Sequence, residues 1–146
     1  MAQIAKLEAK AEITSPPAKV YDFFKYNLNN FVHVFPQVFK SAKLIEGEEG
    51  CAGNVKLVEY VLGKAMSLKV KTDEINDGER SMTMRAVEGD ILQLYSTFVC
   101  KISITDGSVN WSFEFEKNNE SAPNPDDYAK LATKLSKVLD LYLLSN

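Results

Sequence analysis

Lys56 is the residue of this chain best placed to do chemistry. In the run from Asn54 to Leu62, strand alternation sets Lys56, Val58 and Tyr60 on one side and Leu57 and Glu59 on the other. Two readings stand. A lysine at a strand end can snorkel its ammonium into water. If it points inward, burial lowers its pKa or demands a partner, and it can then anchor a carboxylate or phenolate, or act as a base. The Tyr60 hydroxyl is positioned to share that polar contact.

The other reactive side chains are less well placed. His33 is the only histidine, and no acid or cysteine stands in a triad-like arrangement with it, so a surface or rim position is expected. Cys100 falls on the apolar side of its strand, where a thiol is inert rather than nucleophilic. Cys51 and Cys100 show neither metal spacing nor a disulfide framework, which suits a reducing compartment. The loop from Gly47 to Gly53 resembles a phosphate cradle only in its glycines. It carries Glu46, Glu48 and Glu49, and carboxylates repel phosphate. A turn that needs permissive backbone angles is the simpler reading.

These residues need a scaffold, and the patterning supplies one. Ile4 to Ile13 alternates as a half-buried strand. Ser15-Pro16-Pro17 stops it and starts a short apolar helix with Val20, Tyr21, Phe23 and Phe24, with Ser15 as the expected N-cap. A second short helix is expected over Phe31, Val32, Val34 and Phe35, ended by Pro36. Strands follow over Val38–Glu46, Asn54–Leu62, Met66–Ile75, Ser81–Glu88, Leu92–Thr105 and Val109–Lys117, with hairpin signals at Asn76-Asp77-Gly78 and Asp106-Gly107. From Pro125 to Leu144, Tyr128, Leu131, Ala132, Leu135, Val138, Leu139 and Tyr142 recur at helical spacing, with Lys130, Lys134, Lys137 and Asp140 off that stripe. Strands segregated from one long helix predict an α+β fold with an antiparallel sheet whose dry face curls over the helix.

At 146 residues the chain suits one domain, 1–146, with a real core. A net charge of −3 and a pI near 5.2 argue against a nucleic-acid partner. No apolar run is long enough to span a membrane. The N-terminus alternates charges rather than forming a signal peptide, so a cytoplasmic location is expected. No metal or cofactor motif is present. The set Met66, Met82, Met84, Tyr60, Phe98, Trp111, Phe113 and Phe115 lines the dry face. By residue type alone it reads as ordinary core, although methionines and aromatics also make adaptable walls for flat apolar ligands.

The order of elements resembles the Bet v I-type family, pathogenesis-related class ten, of the START-like superfamily, and in particular its major latex protein branch. The resemblance rests on Met1-Ala2-Gln3-Ile4-Ala5-Lys6-Leu7, on Glu46-Gly47…Gly50…Gly53-Asn54-Val55-Lys56-Leu57, on Val87-Glu88-Gly89-Asp90, and on Trp111-Ser112-Phe113-Glu114-Phe115-Glu116-Lys117 before a long terminal helix. It implies a seven-stranded curved sheet gripping that helix, two short helices, and a hydrophobic cavity between them. Glu49 and Val58 stand where tryptophans are expected in that branch, and the turn at Gly63 is shortened, which bears on cavity shape.

On this resemblance Tyr21, Phe24 and Phe31 roof the cavity. Lys56, Val58, Tyr60, Leu68, Met82, Met84, Phe98, Cys100, Trp111 and Phe113 form its walls, and Leu131, Leu135 and Leu139 its floor. The implied role is a carrier, defence- or stress-related, for a small hydrophobic ligand of the steroid, flavonoid, fatty acid or alkaloid class. The alternative is an enzyme of specialised metabolism, an isomerase or cyclase with Lys56 as a weak base. The tyrosine, glutamate and lysine of the alkaloid-condensing members fall on Phe98, Cys100 and Trp111 here, which cannot replace them. Leu62-Gly63-Lys64-Ala65 and Glu88-Gly89-Asp90 do not match the loops of the hormone-receptor members. The acidic glycine loop disfavours the ribonuclease activity reported in the family.

Overall fold

Strands that alternate apolar with charged residues satisfy their backbone groups by pairing into a sheet with one dry face. The protein, a computed structural model, is described over residues 4–145. Met1, Ala2 and Gln3 of the opening motif and Asn146 lie outside the described residues. Seven strands, β1 (Ile4–Glu12), β2 (Phe39–Glu46), β3 (Val55–Leu62), β4 (Lys64–Asn76), β5 (Ser81–Gly89), β6 (Tyr95–Thr105) and β7 (Ser108–Lys117), form one sheet in the order β1-β7-β6-β5-β4-β3-β2. Every neighbouring pair is antiparallel. Strands β2 to β7 are a simple meander. The connection from β1 crosses to the far edge through α1 (Pro17–Tyr26), a 3-10 turn (Leu28–Asn30) and α2 (Phe31–Val34).

The long helix α3 (Asp126–Leu144) has 19 residues and spans about 28 Å. Asp126 and Asp127 in its first turn complement the helix dipole. Ala132, Leu135, Ser136, Leu139 and Asp140 are its buried face. That face meets the dry side of the sheet, where Trp111 Nε1 donates to Ser136 Oγ at 2.8 Å. At the other end of the crossing, α1 is tied to the β4–β5 turn. The Tyr21 hydroxyl donates to Asp77 Oδ1 at 2.6 Å, and Lys25 Nζ reaches the same carboxylate at 2.9 Å.

Two local expectations differ from the structure. Ser15 does not cap α1. Pro16 occupies the N-cap position and makes no side-chain cap, while Ser15 turns away to Asp140. Its amide donates to Asp140 Oδ1 at 2.8 Å and its hydroxyl to the Asp140 carbonyl at 3.2 Å. Asp140 is accordingly buried, although its charge placed it off the apolar stripe. The second difference is at Leu92–Thr105, which is not one strand. A 3-10 turn covers Asp90–Gln93, and β6 begins at Tyr95 with a register shift before Thr97. Asn118 Nδ2 holds that turn by donating to the carbonyls of Leu92 and Gln93, each at 2.9 Å.

Candidate functional site

The strand register brings the inward residues of six strands into rows. Ala42 of β2 pairs with Val58 of β3, and Val58 with Leu68 of β4. Val70 pairs with Ala86, Met84 with Cys100, Cys100 with Phe113, and Ile102 with Trp111. Across from these rows stand Tyr128, Leu131, Ala132 and Leu135 of α3, and Phe24, Leu28, Phe31 and Phe39 close one end. The two surfaces do not meet everywhere. They leave between them a cavity of about 170 Å³, also lined by Tyr60 and Phe98.

The gap persists because small side chains stand where large ones would fill it. Ala42, Ala86 and Ala132 all face the cavity, one each from β2, β5 and α3. Aromatic contacts stiffen the wall: Trp111 stacks on Phe113 at 6.1 Å, and Phe24 meets Trp111 edge-on at 5.6 Å. An engineered apolar cavity of about 150 Å³ stays dry and takes up benzene. This one is of that order, enough for a flat molecule of one or two rings.

The lining contains no charged side chain among the described residues. Its polar atoms are few, and most are paired. The Tyr60 and Tyr128 hydroxyls are 2.5 Å apart and hydrogen-bonded. Trp111 spends its indole N–H on Ser136 Oγ, which donates to the Ala132 carbonyl at 2.9 Å. Burial raises the pKa of Tyr60, with Asp90 adding to it and the bond from Tyr128 opposing it. Burial likewise raises Tyr128, with the bond to Tyr60 acting in the same direction. Burial also pushes the Cys100 thiol up, which makes it a poor nucleophile.

Lys56 is buried at 3% exposure, on the inward side of β3 as its parity indicates. Its ammonium does not line the cavity. Lys56 Nζ donates to both oxygens of Glu49, at 2.6 and 2.7 Å, and to Asn29 Oδ1 at 3.2 Å. The glycine loop is therefore a clamp for this lysine. Gly47 and Gly50 have φ of +76° and +77°, which only glycine adopts without strain. A Cβ on Gly47 would come 2.9 Å from the Asn54 Cα, and one on Gly50 would collide with the Tyr26 ring. Asn54 ties the loop by donating to the Glu48 and Cys51 carbonyls at 3.1 and 3.0 Å. The acidic residue that excludes a phosphate site is here the partner of a buried cation.

Of the residues singled out from the sequence, the structure gathers Phe24, Phe31, Val58, Tyr60, Leu68 and Met84 around the cavity. Phe98, Cys100, Trp111, Phe113, Leu131 and Leu135 join them. Tyr21, Lys56 and Met82 are buried but lie outside the lining. Tyr21 is drawn off by Asp77 and Lys56 by Glu49. Leu139, expected in the floor, is fully buried away from the cavity. Tyr60 bonds to Tyr128 rather than sharing a ligand contact with Lys56. Tyr128, Val70 and Ala86 were not singled out as site residues. Helical spacing carries Tyr128 on the same stripe as Leu131 and Leu135, and strand alternation carries Val70 with Leu68 and Ala86 with Met84. His33 is exposed.

A curved seven-stranded antiparallel sheet gripping a long C-terminal helix, with an apolar cavity between them, is a small-ligand-binding fold of the helix-grip type. The chain belongs to the pathogenesis-related protein Bet v 1 family, whose model matches residues 2–146. MLP-like protein 34 of Arabidopsis thaliana is 31% identical over 146 residues; the match covers 95% of this chain and 46% of that protein. The chain thus spans about half the length of that relative. Major latex protein 146 of Papaver somniferum is 29% identical over 98% of this chain and 93% of its own. Among solved structures, ginseng major latex-like protein 151 from Panax ginseng superposes with a TM-score of 0.94 at 25% identity, covering 97% and 98% of the two chains. Norcoclaurine synthase from Thalictrum flavum, an enzyme, superposes with a TM-score of 0.74 at 16% identity over 94% of each chain. At that identity the likeness is one of fold alone.

Proposed function

We propose that this protein is a carrier that holds one small, flat, hydrophobic plant metabolite in the cavity between the sheet and α3. The observation behind this reading is an uncharged apolar cavity kept open by Ala42, Ala86 and Ala132 while the larger side chains around it pack tightly. Burial of apolar ligand surface supplies the affinity. A cavity of this size favours one- or two-ring molecules, and a steroid-sized guest needs the walls to part. Holding rather than converting the guest agrees with the lining. It presents no carboxylate, imidazole or free amine among the described residues, so no group there can exchange protons with a ligand near neutral pH.

Calorimetric titration with naphthalene tests this. One molecule per chain is expected to bind with a Kd of about 10 μM, from the efficiency typical of small apolar ligands. The heat-capacity change should be negative, as apolar burial requires. Ala42→Phe fills the cavity from the β2 edge and is expected to weaken binding at least about tenfold, because the added ring occupies the guest's volume. Wild-type affinity in that variant, at an unchanged Tm, would place any binding elsewhere and contradict the reading.

A further inference from the structure

We propose that the cavity selects neutral ligands carrying one hydrogen-bond acceptor, such as a ketone, aldehyde or ester oxygen, and rejects carboxylates, because the Tyr60–Tyr128 hydroxyl pair offers a single unspent donor and no cation among the described residues lines the cavity. This rests on the carrier reading above and adds the chemistry of the guest.

The count of protons leads to the donor. Two phenol hydroxyls carry two protons, and one lies between the oxygens at 2.5 Å. The oxygen that accepts it keeps its own O–H, and no other protein acceptor among the described residues engages either hydroxyl. Trp111 has no donor left, since its N–H is committed to Ser136. The tyrosine pair is therefore the one place in the lining where a guest oxygen gains a strong hydrogen bond.

The count of charges leads to the exclusion. The inward cation of β3, Lys56, is neutralised by Glu49 through two short contacts and shielded further by Asn29. Asp90, which accepts from the Ser67 amide at 2.8 Å, acts with burial to keep both hydroxyls protonated. A carboxylate placed there would lose its water and meet no counter-ion among the described residues of the lining. A ketone would lose little hydration and gain the free O–H.

Three ligands built on one ring system separate these effects: naphthalene, 2-acetylnaphthalene and the equally sized 2-naphthoate, titrated calorimetrically at neutral pH. The ketone is expected to bind roughly five- to tenfold more tightly than naphthalene, the worth of one net hydrogen bond. The naphthoate is expected to bind at least about a hundredfold more weakly than the ketone. Tyr60→Phe or Tyr128→Phe alone leaves one hydroxyl with a free proton, so each single variant keeps the ketone preference. The double variant loses it, read as the ratio of ketone to naphthalene affinity within that variant, whatever the naphthalene affinity itself becomes. Should the double variant not fold, the wild-type series still decides. Naphthoate binding within about tenfold of the ketone, or a ketone preference that survives in the double variant, would overturn the selectivity. Naphthalene binding without discrimination overturns this inference and leaves the carrier reading intact, whereas failure of all three ligands to bind removes both.

Discussion

Asp140→Ala is expected to destabilise the protein by about 2–3 kcal/mol, the range for hydrogen bonds to a charged acceptor whose donors are then left buried. The carboxylate accepts from the Thr14 amide at 3.1 and 3.0 Å, from the Ser15 amide at 2.8 Å and from the Thr14 hydroxyl at 3.3 Å. These bonds fasten the last turns of α3 to the junction between β1 and α1, residues more than 120 positions apart in the chain. Ser15 is 3% exposed, so its amide has no ready replacement from water. For a chain of this length the loss corresponds to a Tm lower by roughly 5–10 °C. Asp140→Asn keeps one acceptor and is expected to cost about half as much.

The pH dependence of that effect has a definite sign. Burial by itself raises the Asp140 pKa, but the hydrogen bonds from Ser15 and Thr14 outweigh it and hold the folded value below the ordinary carboxyl value. A folded-state pKa below the unfolded one stabilises the protein above about pH 4. The contribution fades as pH falls through the folded value, because Asp140 is then protonated in the folded as well as the unfolded state and the bonds that favour its charged form no longer add stability. Denaturant titrations of wild type and Asp140→Asn are thus expected to differ at pH 7 and to draw together as pH falls below about 4. A constant gap across that range would mean that the carboxylate charge is not what holds the junction.

Glu49→Ala is expected to cost about 2–3 kcal/mol, and Lys56→Met less than about 1 kcal/mol. The asymmetry follows from exposure. Lys56 is 3% exposed and Glu49 32%. Removing Glu49 leaves a buried ammonium with Asn29 as its remaining partner, a state that costs 3–5 kcal/mol in fully buried pairs and is discounted here because water can reach the Glu49 position. Removing the lysine charge leaves a carboxylate that can turn to solvent, and methionine replaces the apolar stem. The double variant, Glu49→Ala with Lys56→Met, should recover most of the stability lost in Glu49→Ala. Equal losses in the two single variants, measured by denaturant unfolding, would contradict a clamp built around a buried cation.

Much of this arrangement is legible in the chain, for a physical reason. A strand has a period of two, so once Trp111 and Phe113 are assigned inward, Cys100, Met84 and their partners follow across the sheet. The same rule turns Lys56 inward. What the rule cannot supply is the partner that answers a buried group when that partner lies in a loop or far along the chain. Glu49 comes from an irregular glycine loop, Asp140 answers Ser15 from the other end of the protein, and Asp77 takes the Tyr21 hydroxyl from a hairpin turn. Register shifts at Phe39/Ser41 and Tyr95/Thr97 also break the alternation that parity relies on. The result is that the wall of the cavity follows from patterning, while the fate of its polar neighbours depends on contacts that patterning does not encode.

Trp111 gives the most direct test of whether a guest enters this space. It is the only tryptophan in the chain, it lines the cavity, and its indole N–H is held by Ser136. The 15N–1H spectrum of the protein therefore carries one indole resonance, and a ring placed against Trp111 must shift it. Titration with 2-acetylnaphthalene is expected to move that resonance saturably, with the calorimetric Kd in the wild type and with at least about a tenfold weaker Kd in Ala42→Phe. An indole resonance that stays in place while calorimetry reports binding, or a shift that saturates in Ala42→Phe at the wild-type Kd, would contradict a guest held between the sheet and α3.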